Sequence, residues 1–288
     1  MKSYIERIQQ VYPDLVVNQC EQDENGQNNV VLMVNKSLVF RFPKYEKGIE
    51  QLNRETAILE AIHKRLKLPT PYPRYRSFEP TEVGMVFTGY HLIEGTPLWK
   101  QDFFKIEDEE TVSQLATQLV SFLVELHATP IDSISGLGQK RVKTPQEEMD
   151  ELFKNIQTKL YSFIRKDAQD QITHRFEAFL NNDLHVTPTL IHGDFGCSNV
   201  LWNPEENRIL GIIDFGGAGI GDPAYDLAGI LSSYGEDFFN RCIALYPNGK
   251  EIAQRVHFYR STFALQEALN GVDNNDAEAF ENGIKAYR

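Results

Sequence analysis

Cysteine is scarce in this chain. Its three residues, Cys20, Cys197 and Cys242, are widely spaced and form no CxxC pair, which excludes a disulfide framework and a structural zinc site. The seven histidines are scattered, without HExxH or a similar metal-binding spacing. No apolar run approaches the roughly 20 residues that cross a bilayer, so no membrane is expected. The opening MKSYIERIQQVYPDL alternates charge with apolar residues and has no signal-peptide core, and a reduced cytoplasm is the expected compartment. Positive charge is also short: 29 Lys and Arg stand against 41 Asp and Glu, a net charge of −12. A nucleic-acid binder needs a basic surface to displace counterions, so that class is excluded. The acidity is compatible with a cationic small substrate, although solubility alone accounts for its sign. Internal repeats and low-complexity segments are missing, and no protein partner is implied.

What is present fits an ordinary globular protein: 288 residues, 41% hydrophobic and 24% charged, enough for one large domain or two lobes. Ile5, Ile8 and Val11 mark a short amphipathic helix that ends near Pro13. Val30 to Val34 and Ser37 to Phe42, joined at Asn35-Lys36, read as a hairpin in an antiparallel sheet. Leu38, Phe40 and Phe42 share one face of the second strand, and Arg41 points to the other. A helix over 50–66 carries Leu52, Glu55, Ile58, Leu59 and Ile62 on one stripe. Glu55 either faces the core with a partner or lies at the solvent edge of the stripe, and periodicity does not choose. Pro69, Pro71 and Pro73 break the chain, a strand follows over 83–93, and beyond Gly95 the pattern turns helical. Thr144-Pro145 begins a capped helix, and Asp222-Pro223 caps another over 224–233. Further helices follow over 235–246, 249–270 and 274–287.

The densest polar segment is IHGDFGCSNVLWNPEENRILGIIDFGGAGIGDPAYD, residues 191–226, set on short apolar strands. Asp194 and Asn199 are five residues apart in one loop, and Asp214 follows twenty residues after Asp194 at the end of a second strand. A hairpin brings the two loops together. One carboxylate and one amide oxygen form a hard-oxygen set suited to Mg²⁺, which takes one or two carboxylates plus substrate phosphates. Asp194 is then left to orient a hydroxyl for in-line attack. Asp222 reads as a helix cap and Asp226 as a supporting residue in that helix's first turn.

The order HGDxxxxN, IIDFG, GDPxxDLA resembles the aminoglycoside phosphotransferase family of antibiotic kinases. LVFRFPK, NRETAILEAIHKRL, IEGTPL and ELHATPI extend the likeness over essentially the whole chain. The resemblance implies an α+β, bilobal, protein-kinase-like fold. It has a small antiparallel β lobe over residues 1–93 that binds a nucleotide, and a mainly helical lobe over 94–288. It implies Mg²⁺-dependent transfer of a phosphoryl group from ATP or GTP to a small-molecule acceptor, first of all an aminoglycoside. Position by position, it makes Asp194 the catalytic base and His192 its brace, with Asn199 and Asp214 as the Mg²⁺ ligands. Glu55 pairs with Arg41, the loop around Gly26 covers the phosphates, and the backbone of His91 to Ile93 holds the purine. Tyr90 stands just before that hinge, and a bulky aromatic there disfavours ATP relative to GTP.

The chain departs from the family pattern in three places. Arg41 stands where lysine is usual, and its planar fork is not a point ammonium. The loop DENGQNN has a single glycine. The acceptor region, KTPQEEMDEL and FYRSTFALQEALNGVDNNDAEAF, looks more like macrolide phosphotransferases, whereas Asn199 follows the aminoglycoside type. Carboxylates for a polycation are Glu148, Asp150, Glu151, Glu236, Asp237 and Glu267; aromatic walls for a macrolide are Tyr234, Phe238, Phe258, Tyr259 and Phe263. A macrolide, an amino alcohol and a sugar are the alternative acceptors, and a nucleotide-binding pseudokinase is the alternative outside enzyme chemistry.

Overall fold

The structure is a computed structural model that describes residues 1–23, 28–134, 143–182 and 186–288. Helix α1 (Lys2–Val11) precedes strands β1 (Cys20–Asp23), β2 (Asn29–Val34) and β3 (Leu38–Pro43). Helix α2 (Glu46–Ile62) leads to β4 (Tyr75–Ser77) and β5 (Phe87–His91). The five strands form one antiparallel sheet in the order β1-β2-β3-β5-β4. Asn35 and Lys36 both take positive φ, 52° and 53°, the mirror-image turn whose twist matches that of the strands it joins. The register sets Arg41 between Val31 and Thr88, in a strand with neighbours on both sides. Phe40, Phe42 and Phe87 are fully buried with Ile8 of α1 on one face of the sheet. Arg41 is left on the other, as the alternation of β3 requires.

Helix α2 begins and ends four residues before the expected 50–66, and its apolar positions serve two cores. Ile49 and Leu52 pack with Val86 of the small lobe. Ile58, Leu59 and Ile62 join the core of the large lobe. One rigid element therefore touches both sides of the cleft between the lobes.

The second lobe holds β6 (Thr96–Pro97), α3 (Lys100–Phe103), α4 (Glu109–His127), α5 (Pro145–Lys159) and α6 (Lys166–Leu180). Strands β7 (Thr189–Ile191), β8 (Val200–Asn203), β9 (Arg208–Ile212) and β10 (Gly219–Gly221) follow, then α7 (Ala224–Leu245), α8 (Gly249–Asn274) and α9 (Ala277–Ile284). Thr144 caps α5 reciprocally with Glu147, as its sequence requires. Helix α7 runs through the break expected between 233 and 235 but is kinked there at Gly235, φ 83°. Strands β8 and β9 form the expected hairpin, with β6 on its edge, and β7 pairs with β10. These short ladders hold the polar loops that leave β7 and β9 against each other. Among the described residues, no helix is long and apolar enough to cross a membrane.

Candidate active site

The loop between β7 and β8 is shaped by its own backbone and by two buried side chains. Gly196 N–H donates to Asp194 O (2.9 Å) and Asn199 N–H to Gly196 O (3.0 Å), which curls residues 194–199 into a tight turn. Asp226, fully buried in α7, accepts from the His192 amide (2.7 Å) and the Gly193 amide (2.9 Å). His127, at the end of α4, places Nε2 3.1 Å from the same carboxylate, with Nδ1 2.8 Å from the Tyr246 hydroxyl. Burial alone raises a carboxyl; here the His127 hydrogen bond and the backbone donors outweigh it and hold Asp226 below the ordinary carboxylate value.

His192 is buried and bridges the two loops. Its Nε2–H donates to Ile213 O (3.0 Å), and its Nδ1 accepts from the Asp194 amide (3.2 Å), a pattern that assigns the proton to Nε2. Gly193 takes φ 77°, and a Cβ there would lie 2.2 Å from Gly217 O. Only glycine lets the loops after β7 and β9 approach this closely.

Asp194 is held by Asn199, whose Nδ2 donates to Asp194 O (2.8 Å) and to Asp194 Oδ2 (3.0 Å). Burial raises the Asp194 carboxyl above its ordinary value, against the opposing Asn199 hydrogen bond. Asp214 adopts the left-handed conformation, φ 61°, two residues past the end of β9 at Ile212, and its side chain is 52% exposed. Ile213 N–H donates to Asn199 O (2.9 Å), so Asn199 and Asp214 are fixed on adjoining backbones.

Arg41 meets Glu55 in an ion pair whose carboxylate is 3% exposed, and its second terminal nitrogen lies 3.7 Å from Asp214 Oδ1. Glu55 therefore faces inward with a partner, which settles the choice that periodicity left open. Burial lowers the guanidinium pKa, but Glu55, Tyr90 and Asp214 more than offset it and keep Arg41 cationic. Gln51, one turn before Glu55, donates from Nε2 to Gly216 O (2.9 Å) and ties α2 to the segment after Asp214.

These groups line a cleft of about 500 Å³ between the lobes. It brings together Arg41, Glu55, Tyr90, Asp194 and Asp214, with Asn199 bonded to Asp194 from behind and His192 beneath. His91 is exposed at the end of β5, paired with Leu38, and Ile93 lies close to Gly211 beyond the cleft walls. Gly26 lies outside the described residues. Asp222 is more than the expected cap: it accepts from the Ala224 amide (3.0 Å) and also from Arg255 (2.7 and 3.1 Å) and Tyr259 (3.2 Å).

A second cavity of about 990 Å³ opens on the other side of Gly193 and Gly217. Of the residues weighed for the acceptor, Glu148 and Tyr259 line it, and Phe263 lines a smaller one beside Asp194. Tyr234 and Phe238 are instead buried with Phe103, and Phe258 stacks on Phe179. Sequence reasoning missed Gln51, His127 and the Tyr225–Gln266 hydrogen bond (3.1 Å) between the cavities. A polar residue closing a long apolar stripe was the signal for His127; the others carried none.

A profile described as the phosphotransferase enzyme family matches residues 19–260. Viomycin phosphotransferase of Streptomyces vinaceus is 32% identical over 194 residues, 64% of this chain. The chain spans 66% of that protein's length, just under two thirds. The GDP and kanamycin complex of APH(2″)-IIIa superposes with a TM-score of 0.89 at 27% identity, covering 100% of this chain and 97% of that one. Macrolide 2′-phosphotransferase type I shares the fold, with a TM-score of 0.74 at 19% identity over 99% of this chain and 96% of the other.

Proposed function

The chain belongs to the phosphotransferase enzyme family, and from that premise we propose that it transfers the γ-phosphoryl group of a nucleoside triphosphate to a hydroxyl of a small molecule. An aminoglycoside is the first acceptor class to test, supported by the likeness to the kanamycin complex. The observation that carries the reading is the convergence of Asp194, Asp214 and the Arg41–Glu55 pair on one interlobe cleft, with Asn199 bonded to Asp194 from behind. We place the lobe boundary at residue 93, past the end of β5, and the protein in the cytoplasm, where its three free thiols remain reduced.

Asp194 receives the acceptor hydroxyl. Its carboxylate is aimed by Asn199, its amide donates to His192, and the His192 and Gly193 amides before it are held by Asp226, so little reorganisation is needed when the hydroxyl arrives. The raised pKa suits a group that accepts a proton as the new O–P bond forms. The proton moves from the hydroxyl to Asp194 while the nucleoside diphosphate leaves. Arg41 offers fixed positive charge to the donor phosphates, and Glu55 sets the direction of its fork.

Asn199 and Asp214 fit a magnesium ion. The Asn199 amide nitrogen is committed to Asp194, which leaves Oδ1 for a hard cation, and the Asp214 carboxylate is half exposed. When bound, the ion neutralises charge on the donor phosphates. Tyr90 beside Arg41 supports GTP over ATP as donor, and strong ATP preference in initial rates would overturn that choice.

The test is a phosphate-transfer screen over aminoglycosides, macrolides and amino alcohols with each nucleotide. Asp194→Asn should lower kcat by about 10²- to 10⁴-fold without weakening nucleotide binding. Nucleotide binding with no transfer to any acceptor and no slow hydrolysis would reject the enzyme in favour of a sensor.

A further inference from the structure

The acceptor-side cavity does not share the electrostatics of the chain. Against a net charge of −12, it is lined from the small lobe by α2, which presents Lys47, Glu50, Gln51 and Arg54. These positions fall at i, i+3, i+4 and i+7, one face of a helix, and that face is separate from the buried stripe of Ile49, Leu52 and Thr56. Lys47 and Arg54 are exposed into the cavity and form no hydrogen bond or ion pair among the described residues. Glu50 stands between them in sequence without closing an ion pair to either.

The opposite wall has the other sign. Glu148 on α5 is exposed into the cavity near Lys143, which is itself paired with Glu151. Asp222, the remaining carboxylate of the lining, is neutralised by Arg255. The uncommitted charges are thus two cations and one acid on α2, facing one acid on α5. Tyr225 and Tyr259 lie between them as neutral walls.

A polycation bearing only amines satisfies half of this arrangement: Glu50 and Glu148 attract it, but it leaves Lys47 and Arg54 without a partner and is repelled by both. Like charges brought together across a binding surface cost specificity as well as affinity. We propose that the acceptor is a mixed-charge molecule, which offers an anionic group such as a carboxylate to Lys47 and Arg54 and an amine to Glu148. The proposal rests on the phosphotransfer reading for its hydroxyl, but the charge preference is a property of the cavity and is measurable without turnover.

The experiment uses the full chain and a matched pair of ligands, kanamycin and its mono-N-succinyl derivative, in which one amine becomes a carboxylate. Titration calorimetry without nucleotide reads binding, and initial rates with GTP and ATP read transfer. The expected result is preference for the succinyl derivative by about tenfold in Kd, reversed in the double variant Lys47→Glu, Arg54→Glu. Glu148→Gln should weaken both ligands, with an unchanged thermal midpoint for all variants because the three residues are exposed. Preference for kanamycin by the wild type, or an unaltered preference in the double variant, overturns the proposal. A raised KM for the nucleotide with unchanged acceptor binding also overturns it and assigns the two cations to the donor phosphates. If the charge preference is found but no phosphate moves with either ligand or nucleotide, the phosphotransfer reading fails and the mixed-charge site stands.

Discussion

Replacing Asp226 with asparagine probes the support of the loop that carries Asp194 without altering the shape of the site. Oδ2 of Asp226 accepts from the His192 amide and His127, and Oδ1 accepts from the Gly193 amide. An asparagine presents one oxygen and one NH₂, so in either orientation its NH₂ faces at least one N–H donor. Each buried donor left unsatisfied costs about 1–3 kcal/mol, and the surviving bond loses its charge assistance. The expected loss is about 2–5 kcal/mol, a large fraction of the roughly 5–15 kcal/mol that stabilises a typical domain. Urea unfolding should show a lower midpoint, and amide exchange at Gly193 should accelerate by roughly 30-fold or more.

The pH dependence carries an independent sign. Asp226 has a native pKa below its unfolded value, so its contribution is complete above the unfolded carboxylate value of about 3.9. It is lost as pH falls through the lower native value. Wild type and Asp226→Asn should therefore converge in stability at strongly acid pH and differ most above about pH 5. A variant within about 0.5 kcal/mol of wild type at neutral pH, with the Gly193 amide still protected, would refute the reasoning.

Arg41→Ala should destabilise by about 3–5 kcal/mol, measured by denaturant unfolding, because it strands a buried Glu55 carboxylate; Arg41→Lys should cost less. Gly193→Ala should lower kcat far more than it raises the nucleotide KM, since the added Cβ must push Gly217 and the loop that carries Asp194 apart. Replacing Tyr90 with methionine should move the ratio of kcat/KM for ATP over GTP upward by about tenfold, read from initial rates with each donor.

Much of this arrangement was legible in the chain because it depends on short-range patterns. Period-two alternation put Arg41 on the face opposite Phe40 and Phe42, where β3 carries it. Thr144-Pro145 marked a helix start through local backbone chemistry. Other features depended on approach between distant segments, about which local patterns are silent. Glu55 has the same neighbours in sequence whether or not Arg41 lies across from it. Phe258 and Tyr259 are adjacent, yet one stacks in the core and the other lines a cavity.

By itself the sequence determined the order of elements, the loops that carry Asp194, Asn199 and Asp214, and the family to which the chain belongs. These follow from periodicity, caps and a motif whose spacing is a covalent fact. Only the tertiary structure decided which buried charges are paired. It also revealed that Asp226 and His127 hold the loop between β7 and β8, and that α2 sets Lys47 and Arg54 on the lining of the larger cavity. Those relations join residues from separate elements and both lobes. They exist only once a packed core has fixed the distance between one backbone and another.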